Sequence, residues 1–221
     1  MSAKQTLLAV VVVAMCFLNV SLSAQEQKNE LTGMIGRIFI SDQGIQGATY
    51  LNPTIHSGKG LTFEVNYSRW LFTTPIFGLS GEVPAVFNLD EDLNAGYSPT
   101  LNSGVVPANY KEIFVTPALR LNLFPATAVS PWVSFGGGFG RFSESKNLLY
   151  SGTNPAGSST TGVIQGGVGL DLNPFQHRFR EFGFRGEARD FWSGEPNFPL
   201  APTGKSRQHN YFVGGGVMWH F

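Results

Sequence analysis

The sequence predicts an all-β fold: an eight-stranded antiparallel transmembrane β-barrel with long extracellular loops and short periplasmic turns. Three observations carry that expectation. Apolar and polar residues alternate in eight separate stretches, and the connections between those stretches alternate between long and short. The final stretch reads Tyr-Phe-Val-Gly-Gly-Gly-Val-Met-Trp-His-Phe from Tyr211, which puts Tyr211, Val213, Gly215, Val217, Trp219 and Phe221 on one parity. Side chains point alternately across a strand, so this set lines one face. An apolar face with aromatics at both ends fits a strand whose outer side meets lipid and whose ends meet the interfaces.

The amino-terminal segment reads as an export signal. Lys4 supplies a positive start, residues 7–18 form an almost unbroken apolar run, and small residues follow up to Ala24 before the polar Gln25 and Glu26. That order is a cleavable secretory signal, too short in its apolar part to span a membrane as a helix. The expected organisation is a signal peptide over 1–24 and a barrel domain over 25–221. Cys16 is the only cysteine and lies inside the signal. Met15 before it is not small, which argues against a lipidation site. The mature chain then has no thiol for disulfides, thiolate catalysis or cysteine-ligated metal. Removing Lys4 from 15 basic and 15 acidic residues leaves 14 against 15. There is no basic patch of the kind that nucleic-acid binding requires.

The strands follow in order at about 31–40, 61–71, 76–87, 110–123, 132–142, 163–172, 179–191 and 210–221. In the second, Leu61, Phe63, Val65 and Tyr67 face away from Thr62, Glu64, Asn66 and Ser68. In the fourth, Ile113, Val115, Leu119 and Leu121 oppose Glu112, Thr116, Arg120 and Asn122. Each stretch is long enough to cross a bilayer as a tilted strand of about 9–11 residues. Connections 41–60, 88–109, 143–162 and 192–209 are long, whereas 72–75, 124–131 and 173–178 are short. This is the asymmetry of an outer-membrane barrel, with both termini on the short-turn side. Thr74-Pro75, Phe124-Pro125 and Asn173-Pro174 supply turn chemistry in the short connections. Pro84 and Pro117 fall inside the third and fourth strands, where bulges or shifted boundaries are expected.

The polar parity carries the charge. Arg37, Glu64, Glu82, Glu112, Arg120, Asp171, Arg185, Glu187 and Arg189 are assigned to the lumen. A charge on the lipid face at mid-bilayer costs about 2–4 kcal/mol, so the interior is the cheaper location. An eight-stranded barrel is just wide enough to be filled by side chains. Acids and bases packed there must pair, because an unpaired buried charge is costly. Such a network blocks a wide pore. Trp70 and Trp132 share the inward parity near the short-turn end. Glycine runs at 136–138, 166–167 and 214–216 fall within strands and precede no helix, so they read as space-makers, not phosphate loops.

No cofactor or metal site is expected. Asp90, Asp92 and Asn94 have the spacing of a calcium loop's first ligands, but Gly96 comes one residue late and no Glu holds the twelfth position. His56, His177, His209 and His220 are scattered without metal-ligand spacing. No nucleophile-elbow motif is visible.

With the alternation, the loop lengths and the Val217-Met218-Trp219-His220-Phe221 ending in hand, the chain resembles the porin-like outer-membrane β-barrel proteins, similar to the OmpA-type eight-stranded transmembrane domain. The resemblance covers everything after the signal peptide. It implies a Gram-negative outer-membrane location, a crown of extracellular loops, and recognition of the carboxyl-terminal strand (Tyr211, Val213, Val217, Trp219, Phe221) by the barrel-assembly machinery. It transfers no catalytic motif. Unlike in OmpA, no peptidoglycan-binding domain is expected after the barrel, so a wall-tethering role is not implied. The leading functional expectation is a plugged, non-enzymatic barrel acting through its loops on an extracellular ligand the sequence does not identify. Its partners would be outer-membrane lipid and the assembly machinery. The alternatives are a narrow channel for small or apolar solutes and a lipid-modifying enzyme.

Overall fold

A computed structural model describes residues 28–40, 43–44, 54–57, 60–95, 109–146, 153, 157–174, 181–194 and 207–221. The proposed signal peptide, Cys16, His177 and most of the long connections lie outside the described residues. The backbones of His56, Asp90, Asp92 and Asn94 are described, but their side chains are not.

Eleven strands form one antiparallel sheet: β1 (Asn29–Ile40), β2 (Gln43–Gly44), β3 (Thr54–Ser57), β4 (Thr62–Thr73), β5 (Phe77–Ala95), β6 (Asn109–Val115), β7 (Ala118–Leu123), β8 (Val129–Glu144), β9 (Ser158–Leu172), β10 (Phe182–Gly194) and β11 (Arg207–His220). β6 and β7 are two halves of one stave, so β1, β4, β5, β6–β7, β8, β9, β10 and β11 make eight. The barrel closes because β1 pairs with β4 on one side and β11 on the other, Leu31 lying opposite both Tyr67 and Trp219. Asn29 N–H donates to Phe221 O at 3.0 Å and Phe221 N–H to Asn29 O at 2.9 Å, extending the seam to the rim. We call this the terminal rim and the opposite end the far rim. β2 and β3 form a small hairpin there, Ile55 pairing with Ala95 of β5.

Period-two alternation fixes which side chains meet lipid. Ile35, Phe63, Leu119, Val133, Phe135, Val168, Leu170, Phe184, Val213 and Val217 all point outward, Phe135 being 69% exposed. This apolar wall has no place in water, and a closed barrel leaves no open sheet edge to face lipid. Aromatics gather at its two ends. Phe72, Phe77, Phe124, Phe182, Trp219 and Phe221 lie near the terminal rim, and Phe39, Trp192 and Tyr211 near the far rim.

Several strands run further toward the far rim than the hydrophobic pattern indicates. β5 continues to Ala95 and β9 begins at Ser158. Beyond the apolar belt the outward face no longer has to be apolar, so the sequence loses its alternation while the ladder persists.

The two prolines produce no bulge. β5 keeps one register across the break in the stave, Ala85 opposite Val115 and Glu82 opposite Ala118. The β8 side is equally in register. Pro84 faces Thr116, whose N–H donates to Pro84 O at 3.3 Å, and Pro117 O accepts from Gly137 N–H at 3.1 Å. Each proline therefore forfeits only the return half of a two-bond pair. The register shifts lie elsewhere, between Trp70 and Phe72 and between Asn88 and Glu91. At the terminal rim, Thr74 N–H donates to Phe77 O at 2.8 Å and Phe77 N–H to Thr74 Oγ1 at 3.0 Å. Phe124 takes a left-handed φ of 52° immediately before Pro125, and its carbonyl accepts from Thr127 N–H at 3.0 Å.

Inward glycines make room for rings. A Cβ on Gly169 would strike Trp132, one on Gly140 would press on Phe114 at 2.9 Å, and one on Gly214 would strike Phe212 at 2.5 Å.

Candidate functional site

Among the described residues the buried charge gathers in the lumen, which is filled in two layers. The layer nearer the terminal rim is ionic. Arg120 on β7 grips Glu30 with both terminal nitrogens, at 3.0 and 3.2 Å, and also reaches Ser68 at 3.3 Å. Arg185 on β10 forms a second two-point grip on Asp171 of β9, at 2.7 and 2.8 Å, and its Nη2 lies 2.8 Å from Glu30. Glu30 is thus shared by two guanidinium groups. Arg189 donates to Glu82 at 2.7 Å and to both oxygens of Glu187, and lies 3.6 Å from Glu64. The paired geometry suits arginine, whose planar fork matches a carboxylate.

Trp132 binds this layer together. Its indole N–H donates to Asp171 at 2.9 Å, and its ring lies 5.7, 5.4 and 5.2 Å from the guanidinium carbons of Arg120, Arg185 and Arg189. Neutral partners complete the set: Asn122 donates to Asp171 at 3.0 Å and Asn66 to Glu82 at 3.1 Å. Three buried arginines face five buried carboxylates here, and their ion pairs tie staves together across the lumen.

The layer nearer the far rim is apolar. Phe114 stacks on Phe191 at 4.8 Å and meets Phe142 edge-on at 5.6 Å, while Tyr110 stacks on Phe142 at 5.9 Å. Met34, Ile38, Val86, Val163 and Phe212 complete the cluster. Between the layers Gln165 spans two staves, donating to Ser134 at 2.9 Å and accepting from Thr116 at 3.2 Å.

Of the nine residues assigned from sequence to the lumen, Glu64, Glu82, Arg120, Asp171, Arg185, Glu187 and Arg189 come together in the ionic layer. Glu112 is buried too, but on β6 between the inward Tyr110 and Phe114, opposite Asn88. Arg37 is a correction. It points outward, on the parity of Ile35 and Phe39. The sequence reading placed it on the polar parity with the other charges, but within β1 it shares the parity of Leu31, Ile35 and Phe39. Arg37 stands three residues from the far end of β1, where the cost of a charge on the lipid face falls to about 0–1 kcal/mol.

Sequence reasoning missed Glu30, because the expected first strand starts at 31 whereas β1 starts at Asn29, and His220, whose Nδ1 lies 3.7 Å from Glu30. It also missed the aromatic layer, although the signal was present: Phe114 follows Glu112 by two residues and Phe191 follows Arg189 by two. On β11, Tyr211, Val213, Val217, Trp219 and Phe221 all face outward, and the rings of Trp219 and Phe221 lie 4.8 Å apart.

The outer wall also carries an ion pair near the far rim. Asp190 and His209 face lipid near the far rim, 2.8 Å apart, with His209 stacked between Trp192 at 5.9 Å and Tyr211 at 5.7 Å.

No family model matches the sequence, and no curated protein matches it. Solved structures do. Neisserial surface protein A aligns over 87% of this chain and 97% of its own, with a TM-score of 0.53 and 10% identity. The chain has the fold of the eight-stranded outer-membrane β-barrels. The outer membrane protein OprG from Pseudomonas aeruginosa (TM-score 0.48, 10% identity, 88% of this chain and 95% of that one) is similar as well. So is Ail, the attachment invasion locus protein of Yersinia pestis (TM-score 0.43, 14% identity, 87% and 99%). A closed eight-stranded barrel of this fold, walled by apolar side chains, belongs in an outer membrane.

Proposed function

We propose that this chain is a closed outer-membrane barrel of a Gram-negative-type envelope whose role is structural or interactive, exercised through the loops of its far rim. The observation that carries this reading is the doubly filled lumen: an ionic layer and an aromatic layer lie in series along the path a solute would take. The test is planar-bilayer conductance of the refolded protein. Small or rare events are expected, and steady porin-scale currents would refute the reading. In this proposal the far rim is extracellular and the terminal rim periplasmic. A cysteine introduced at Gly157 should label with an impermeant reagent on whole cells and one at Thr74 should not. The outward face of β11 is, in the same reading, the surface that the assembly machinery recognises.

A second reading, a narrow passage for apolar solutes, draws support from the apolar character of the far layer. Uptake of a short alkane into vesicles that contain the protein, above the rate for empty vesicles, would favour it. Catalysis is not part of the proposal. The Asp190–His209 pair on the lipid face is the feature that would support a lipid hydrolase, and acyl release from lipid A abolished by His209→Asn would replace the present reading with that one.

A further inference from the structure

Arg37, Lys111 and Arg141 share an unusual situation. All three are exposed on the outer face, and each lies two or three residues from the far end of its strand. None of the three side chains makes an ion pair or hydrogen bond among the described residues. Arg37 rises from the apolar wall between Ile35 and Phe39, both more than half exposed. Lys111 and Arg141 are diagonal neighbours across the β6–β8 ladder, since Ile113 faces Arg141 and Lys111 faces Ser143. Diagonal neighbours stand about 7–8 Å apart, so two like charges repel there unless an anion lies between them. β1 and the β6–β8 pair are on opposite sides of the eight-stave circle. A fourth cation, Arg207, stacks 4.5 Å from the Trp192 ring at the same rim, which leaves the edge of its guanidinium open to an acceptor. Among strand residues whose side chains are described, the outward carboxylate of this rim is Asp190, and His209 occupies it.

These cations stand where the apolar wall gives way to the headgroup region. An acyl chain against Ile35, Ile113 or Phe139 would carry its headgroup to their level. We propose that the far-rim outer face binds phosphate-bearing lipids of the leaflet around it, with Arg37 holding one phosphate on β1 and the Lys111–Arg141 pair holding another on the opposite side. The inference rests on the reading that the far rim is extracellular, and does not depend on whether the lumen conducts or on what the loops bind.

The test uses the refolded mature protein in phosphatidylcholine nanodiscs doped with diphosphoryl lipid A. Native mass spectrometry after detergent extraction reads the retained lipid. A basic side chain near a membrane surface contributes about 1 kcal/mol, which is about fivefold in affinity. Arg37→Gln should therefore weaken retention about fivefold at one site, and Lys111→Gln with Arg141→Gln about twenty-fivefold at the other. Lys28→Gln, an exposed cation at the terminal rim, should leave both unchanged. Lipid A stripped of its phosphates should be retained no better by wild type than by the variants. Equal retention of both lipid forms, or a loss with Lys28→Gln matching that of the far-rim variants, would overturn the proposal. So would a cross-linked dimer through Arg37 that forms without lipid A. Heat-modifiable gel mobility verifies that each variant has closed its barrel, and Arg37→Lys, which keeps the charge, should retain lipid where Arg37→Gln does not.

Discussion

The two layers of the lumen fill the same narrow cylinder by different chemistry. Near the terminal rim each side chain is specified by its partners: Arg120 needs Glu30, and Arg185 needs Asp171. Near the far rim Phe114, Phe142 and Phe191 are specified by shape and ring contact. The ionic layer therefore fails badly when one member is lost, because the remaining charges are left buried without compensation. The aromatic layer fails by degrees, as volume is removed. A barrel too thin for a separate hydrophobic core obtains cross-lumen cohesion from both.

The largest effect should follow from Arg189→Met. Glu187 and Glu64 would then lose the arginine that faces them, and Glu82 would keep only Arg120, at 3.6 Å. Breaking a buried pair costs about 3–5 kcal/mol, and urea unfolding of the barrel in phospholipid vesicles would measure it. Adding Glu187→Gln to Arg189→Met should recover part of that loss. If the single variant were as stable as wild type, the two layers would not differ in the way described.

Phe191→Leu comes next, with an expected loss of about 1–2 kcal/mol from reduced volume and a lost ring stack. Alanine at the same two positions sharpens the comparison by conductance. Each alone leaves the other layer in place and should stay nearly closed, whereas Arg189→Ala combined with Phe191→Ala should raise the event frequency in planar bilayers. A full opening from either single variant would show that one layer alone blocks the lumen.

Arg37→Leu should change stability by about 1 kcal/mol or less, since it acts on the lipid face close to the interface. A loss comparable to that of Arg189→Met would put Arg37 back in the lumen network. The smallest effect should come from salt. Buried pairs are screened far less than exposed ones, so raising the ionic strength from low to molar should leave the urea midpoint almost unmoved.

Much of this molecule was legible in its residues. The alternation at 61–71 assigned both faces of β4, and the parity of Arg185, Glu187 and Arg189 placed them inward with Gly186 and Ala188 outside. Arg37 shows the limit. The sequence reading put it with the inward charges, yet the penalty for a charge in lipid depends on depth, and depth depends on where the strand ends.

The sequence by itself determined the number of staves and, Arg37 and Glu30 apart, which charged side chains face in, because a strand has a period of two and lipid accepts only apolar groups at mid-bilayer. Only the tertiary structure decided which inward groups meet. Glu30 and Arg120 are far apart in the chain and share no strand pair, and they touch at 3.0 Å because barrel closure brings β1 and β7 across one lumen. Contact across a lumen depends on the stagger with which the sheet closes, and no local pattern of residues records it.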